Sequence, residues 1–251
     1  MAGLPLDLPA RSAKPREQGI THVLDKGLSI AEVDGLVEVA GGSVDIVKLG
    51  WGTALATGNL EPKLDRYREH GIPVVLGGTL TELAIQQDRV EDLVSWLEQL
   101  GIRHVEVSDG TITLEAARKQ ELIATLAERF TVLSEVGSKD VTHVMAPYRW
   151  VEQIQGELAA GAWKVICEAR ESGTAGIARL DGELREGLID EIAHAIDPGR
   201  LVFEAPQKDQ QVYLLKRFGA DVNLGNIAPA DVLPLETMRL GLRSDTMDGT
   251  G

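Results

Sequence analysis

The 251-residue chain predicts an α/β fold, a (β/α)8 TIM barrel in a single domain. Three observations carry that prediction. Eight short apolar segments recur along the chain, an amphipathic stretch lies between most of them, and no Pro/Gly-rich linker divides the series. Eight such units in about 250 residues is the ordinary size of this barrel. A doubly wound open sheet is the competitor. It more often carries a glycine-rich phosphate loop after its first strand, and "LDKGLSIAEVDG" has no G-x-G-x-x-G.

Taken in order, the strand candidates are "THVLDKG", "VDIVKLGWG", "IPVVLGG", "HVEVSDG", "TVLSEVG", "WKVICEA", "RLVFEAP" and "ADVNLGN". Runs this short and this rich in Val, Ile and Leu suit parallel strands buried on both faces. After the third comes "DRVEDLVSWLEQLG", where Val90, Leu93, Val94 and Leu97 fall on one helical face and Gly101 stands where a C-terminal cap glycine belongs. "ELIATLAERF" follows the fourth strand, "YRWVEQIQGELAAGA" the fifth, "LREGLIDEIAHAID" the sixth and "QQVYLLKRFGA" the seventh, each with the same periodicity. The expected layout is an N-terminal extension over residues 1–18 packing on the barrel, the barrel over 19–243, and a flexible C-terminal tail over 244–251.

Composition narrows the class. With 43% hydrophobic and 25% charged residues the chain reads as an ordinary soluble protein. No apolar run approaches the length that spans a bilayer, and the N-terminus lacks the apolar core of a secretory signal. The single cysteine, Cys167, excludes an intrachain disulfide and a Cys-rich zinc site. A cytoplasmic location is expected. A net charge of -14 argues against a nucleic-acid surface, while leaving room for a small anionic ligand in a local positive pocket, and no membrane partner is expected. Apolar helix residues exposed on the barrel predict a homo-oligomer.

The strand ends carry the chemistry. "EVSDGTI", "EVGSKD", "CEARESG" and "FEAPQ" each place charge where an apolar strand stops. Active sites of this fold sit at the C-terminal ends of the strands, so charges there converge on one mouth. Glu106, Glu135, Glu168 and Glu204 occupy equivalent positions on four adjacent strands, with Asp109 as an alternate. Four inward carboxylates do not ionise together cheaply without a cation, and a hard divalent ion such as Mg²⁺ resolves the conflict. Any one of these glutamates is as readily a strand-end residue paired with a neighbouring Lys or Arg. Cations share the mouth: Lys26, Lys48, Lys139 and Arg170 end or follow strands 1, 2, 5 and 6. Lys48 interrupts an apolar strand and is either functional or a paired, snorkelling lysine. Arg170 shares parity with Glu168, and Lys139 with Glu135, if strand geometry continues that far. Ser172 and Gly173 in "ARESGTAG", and Gly225 and Asn226 in "NLGNIAPAD" after strand 8, offer backbone N–H groups to a phosphate. Both carboxylates and cations in one mouth suit a metal plus an anionic substrate.

Other residues take plainer readings. His22, His70, His104, His143 and His194 show no zinc spacing. Ser134 and Ser138 lack a G-x-S-x-G elbow. Cys167 alternates with Glu168 and packs outward, and Trp51 either walls the pocket or packs in the core.

The motifs "DKGL", "VDIVKLGWGTAL", "EVSDGTI", "SEVGSKD", "EARESGTAGI", "FEAPQKDQQ", "ADVNLGNI" and "MRLGLRSDT" together resemble the phosphosulfolactate synthase family over nearly the whole chain. The resemblance implies a cytoplasmic lyase of the (β/α)8 class, running in the synthase direction. Its members add sulfite to C3 of phosphoenolpyruvate with Mg²⁺, giving (2R)-phospho-3-sulfolactate, a sulfonate on the way to coenzyme M in methanogens. Bacterial relatives and a plant heat-stress-associated relative belong to the same family. The family's catalytic lysine falls in an "EVGxK"-like stretch, which implies Lys139 as the group that protonates C2. Strand position and parity then suggest Glu135, Glu168 and Glu204, with Glu106, as metal ligands, and Lys48 as a second catalytic cation. Lys26, Arg170, Ser172, Gly173, Gly225 and Asn226 would bind the substrate anions. The alternatives are a different nucleophile on the same barrel, or a non-catalytic stress-related binding scaffold.

Overall fold

A computed structural model of the chain describes residues 6–137, 145–170 and 172–247. Its eight strands are β1 (Thr21–Asp25), β2 (Ile46–Leu49), β3 (Val74–Leu76), β4 (His104–Val107), β5 (Thr131–Val136), β6 (Lys164–Cys167), β7 (Leu201–Glu204) and β8 (Leu224–Ile227). All neighbours pair in parallel, and β8 returns to β1, so the sheet is a closed barrel in sequence order. Closure settles the choice against the open sheet.

Around the barrel lie α1 (Ile30–Ala40), α2 (Thr53–Ala56), α3 (Leu60–Glu69), α4 (Thr79–Gln86), α5 (Val90–Gln99), α6 (Ala116–Ala127), α7 (Pro147–Ala159), α8 (Glu186–Ala195), α9 (Lys208–Phe218) and α10 (Val232–Arg239). The simple one-strand, one-helix repeat needs correcting. The connections after β2 and β3 each hold two helices, α2 with α3 and α4 with α5. The expected helix over "DRVEDLVSWLEQLG" is α5, which buries Val94 and Leu97, and Gly101 beyond it has a left-handed φ of 68°. At α1, Ser29 and Glu32 form a reciprocal capping box.

Two apolar layers explain why these sequences make strands. Alternate residues point to opposite faces. Ile20, Ile46, Val75, Leu133, Ile166 and Val202 meet inside the barrel and close its floor. Their neighbours Val47, Val105, Val132, Val165, Cys167 and Phe203 pack outward against the helices, as Cys167 was expected to do. Each fully buried aliphatic side chain contributes about 1.5–3 kcal/mol. At the amino-terminal end of the barrel, buried Arg239 donates to the carbonyls of Val222 at 2.7 Å and Ile20 at 3.3 Å, and Arg11 pairs with Asp221 at 2.6 Å. No helix among the described residues is long and apolar enough to cross a membrane.

Candidate active site

Stepping two residues up a strand from the floor keeps the same face and reaches the mouth. From Ile46 that step gives Lys48, from Leu133 Glu135, from Ile166 Glu168 and from Val202 Glu204. These residues, with Glu106 of β4, line a cavity at the carboxyl ends of the strands. Single carboxylate oxygens of Glu135, Glu168 and Glu204, all buried, lie within 4.8 Å of one another. Glu106 is bound differently. Its Oε1 accepts from the Gly78 N–H at 2.6 Å, and its Oε2 lies 3.4 Å from Lys48 Nζ. Lys48 Nζ also stands 3.3 Å from Glu204 Oε1, which leaves it bridging Glu106 and the three-glutamate group. The second oxygen of Glu204 accepts from the Ala169 N–H at 2.9 Å, and Glu168 Oε1 from the Arg170 N–H at 2.6 Å.

Burial and charge act against each other here. Burial alone would lower the Lys48 pKa, but Glu106, Glu204, Glu135 and Glu168 together raise it well above the ordinary lysine value, so the ammonium is held charged. Burial pushes Glu106 up to about 7 against the pull of Lys48, and Glu204 is raised for the same reason. Beneath them, His22 is fully buried, and burial followed by the Lys48 charge holds its pKa well below the usual range, leaving a neutral imidazole.

The outer layer around the mouth was not visible in the sequence. Within "EVSDGTI" only Glu106 turns to the cavity. Ser108 Oγ donates to Glu82 of α4 at 2.6 Å, and the Thr111 hydroxyl donates to the same carboxylate. Asp109, the alternate ligand, instead accepts from Lys119 of α6 at 2.8 Å. Lys119 also meets Glu157 of α7 at 2.8 Å and the backbone carbonyl of Glu135 at 2.6 Å. Asp25 ends β1 in a similar way, pairing with Lys63 at 2.6 Å and accepting from Tyr67 at 2.8 Å. Glu82, Lys119, Glu157 and Lys63 sit on helices, where a charged residue reads as surface. The available hint was an ionisable residue at a helix position otherwise reserved for the core.

The remaining candidates divide. Lys26 holds its ammonium 5.0 Å from the centre of the Trp51 ring, and Trp51 is 52% exposed and walls the cavity. Arg170 also lines it, although parity does not explain why: β6 stops at Cys167 and Arg170 has a left-handed φ of 63°. Gly225 and Asn226 lie on β8 itself, so the expected loop there is corrected to strand. A side chain at Gly225 would approach Val202 at 3.1 Å and His22 at 3.2 Å, so its bareness serves close packing. Ser172 and Gly173 do not line the cavity; their carbonyls accept from Gln207 at 2.6 Å and Gln210 at 2.8 Å. Lys139 lies outside the described residues.

The donor set fits a hard divalent cation. Three converging buried carboxylates supply oxygen ligands and negative charge, and no sulfur or imidazole belongs to the group. Glu135, Glu168 and Glu204 would hold the ion.

A closed (β/α)8 barrel with carboxylates and a charged lysine gathered at the carboxyl ends of its strands belongs to the barrel enzymes. The match to the (2R)-phospho-3-sulfolactate synthase (ComA) family model extends over residues 9–245, and the chain belongs to that family of enzymes. It is 42% identical over 244 residues to a phosphosulfolactate synthase of Bacillus subtilis, covering 96% of this chain and 97% of the relative. It is 42% identical over 245 residues to that of Methanothermobacter thermautotrophicus, covering 95% of each. Among solved structures, the YdjI aldolase of Escherichia coli K12 superimposes with a TM-score of 0.57 at 13% identity, covering 94% of this chain and 93% of that one. A phosphonopyruvate hydrolase crystallised with oxalate and Mg²⁺ gives 0.51 at 13% identity, covering 83% and 75%. Those two share the fold.

Proposed function

We propose that this protein adds sulfite to phosphoenolpyruvate to form (2R)-phospho-3-sulfolactate. The observation that carries the reading is the meeting of Glu135, Glu168 and Glu204 beside Lys48 at the mouth of a barrel in this family. The sulfur lone pair attacks C3 and forms the C–S bond. The electrons of the C2=C3 bond move to C2 and spread onto the adjoining carboxylate. One proton is then delivered to C2, and no group leaves.

Each demand of that sequence has residues to meet it. Two anions must approach one another, which Lys48, Arg170 and Lys26 favour by charge. Mg²⁺, when bound by the three glutamates, supplies stabilisation of the negative charge that collects on the substrate carboxylate. Lys48 is kept protonated by the carboxylates around it, so it serves as a fixed positive charge and not as a base. Lys139 remains our candidate for the acid that protonates C2.

The test is turnover by the purified chain with phosphoenolpyruvate, sulfite and Mg²⁺, read by product mass. Sulfite-dependent phosphosulfolactate that disappears with chelator and with Lys139→Ala is the expected result. Binding of phosphoenolpyruvate without product would move the search to another nucleophile, and neither binding nor turnover would favour a non-catalytic scaffold.

A further inference from the structure

Four described non-glycine residues adopt a left-handed backbone: Trp51, Asp88, Arg170 and Asn226. Three of them, all but Asp88, line the same cavity, although they come from the distant ends of β2, β6 and β8. Left-handed backbone is strained for a side chain as large as tryptophan or arginine, and such strain gathers where a ligand requires a particular aim. Side-chain bonding adds a second, independent observation. None of the three side chains forms a hydrogen bond or ion pair with another described residue. For Asn226 this is costly, since the residue is 5% exposed and its Oδ1 is wholly buried without a donor. Trp51 pays differently, by exposing half of a large aromatic surface.

We infer that Trp51, Arg170 and Asn226 are the grip for a small oxyanion-bearing substrate, held against the carboxylate half of the mouth. The substrate class rests on the reaction proposed above. A guanidinium offers two parallel N–H groups to a phosphate, carboxylate or sulfite oxygen pair. The carboxamide can donate to an oxyanion oxygen only from its N–H₂ edge, and the indole closes the open side with a flat face. The left-handed backbone at each position turns the side chain inward at a point where an ordinary strand exit would carry it along the rim.

Glycine at these positions relieves backbone strain while removing the grip, so stability and affinity should move in opposite directions. The experiment compares the parent with Trp51→Gly, Asn226→Gly and Asn226→Asp. Unliganded thermal unfolding is measured alongside calorimetric titration with phosphoenolpyruvate and, separately, sulfite, both with Mg²⁺ present. Expected are midpoints equal to the parent or up to about 4 °C higher for the glycine variants, with affinity for at least one ligand reduced tenfold or more. Loss confined to phosphoenolpyruvate assigns the grip to its phosphate or carboxylate; loss confined to sulfite assigns it to the nucleophile. Midpoints that fall with affinities within twofold of the parent would overturn the inference. If midpoint and affinity fall together, Asn226→Asp decides, because aspartate tolerates the same backbone: lost affinity supports the grip and retained affinity refutes it. A parent that binds phosphoenolpyruvate without making product refutes the reaction and leaves the grip to be judged on affinity. A parent that binds neither ligand overturns the grip itself.

Discussion

Lys119 Nζ, on α6, lies 2.6 Å from the backbone oxygen of Glu135, so a buried helix side chain grips the strand end that carries one of the three clustered carboxylates. The same ammonium binds Asp109 and Glu157, each at 2.8 Å. Burial would lower its pKa, but these two carboxylates outweigh burial and raise it. Replacing Lys119 by Met should destabilise the fold by about 3–5 kcal/mol, the usual result of removing one partner from a buried pair. It should also weaken metal binding by about 10–100-fold, as loss of an outer support does. Urea unfolding and Mg²⁺ titration check both.

Glu168→Gln or Glu204→Gln should reduce Mg²⁺ affinity by more than about 100-fold, beyond the effect of losing an outer partner. Burial raises Glu204, so protons compete with the ion in acid. Calorimetric affinity for Mg²⁺ should therefore climb as pH rises above the ordinary carboxylate range. A flat profile would remove Glu204 from the ligand set.

Glu106 has a folded pKa of about 7 against an ordinary value of 4.5. Between those values the folded chain binds more protons than the unfolded one, so its contribution to stability is present below pH 4.5 and lost as pH rises through 7. The metal-free protein should lose stability over that window. Glu106→Gln should flatten the dependence in denaturant titrations run at several pH values.

A methyl group at Gly176 would fall 1.9 Å from the backbone oxygen of Glu168, and the glycine sits at a left-handed φ of 57°. Backbone atoms there have little freedom to yield. Gly176→Ala should displace Glu168, lower the unfolding midpoint and reduce Mg²⁺ affinity together. A variant that lost stability with normal metal binding would show that the loop moves independently of Glu168.

Much of this was legible because strand periodicity is local. Lys48, Glu135, Glu168 and Glu204 stand two residues beyond buried floor residues, and a period of two puts each on the inner face whatever the rest of the chain does. The reading faltered where the backbone left strand geometry. Arg170 reaches the cavity through a left-handed turn that parity does not describe, and Asn226 lies on a strand where a loop was expected. Asp109 has the composition of a ligand and the position of one, yet it turns to Lys119. Nothing local distinguishes those two fates for a carboxylate.

The sequence by itself determined the barrel, the end of the barrel that bears the chemistry and the family to which the chain belongs. Apolar runs, their spacing and a few long motifs are properties of neighbouring residues. The tertiary structure alone decided which charges meet. Lys48 bonds to Glu204 across a separation of 156 residues, and the gap between Gly78 and Glu106 is 28. Such pairings depend on strand register and barrel closure, which bring distant segments within a few ångströms. The balance of burial against charge that keeps Lys48 protonated and lifts Glu106 exists only once those segments have come together.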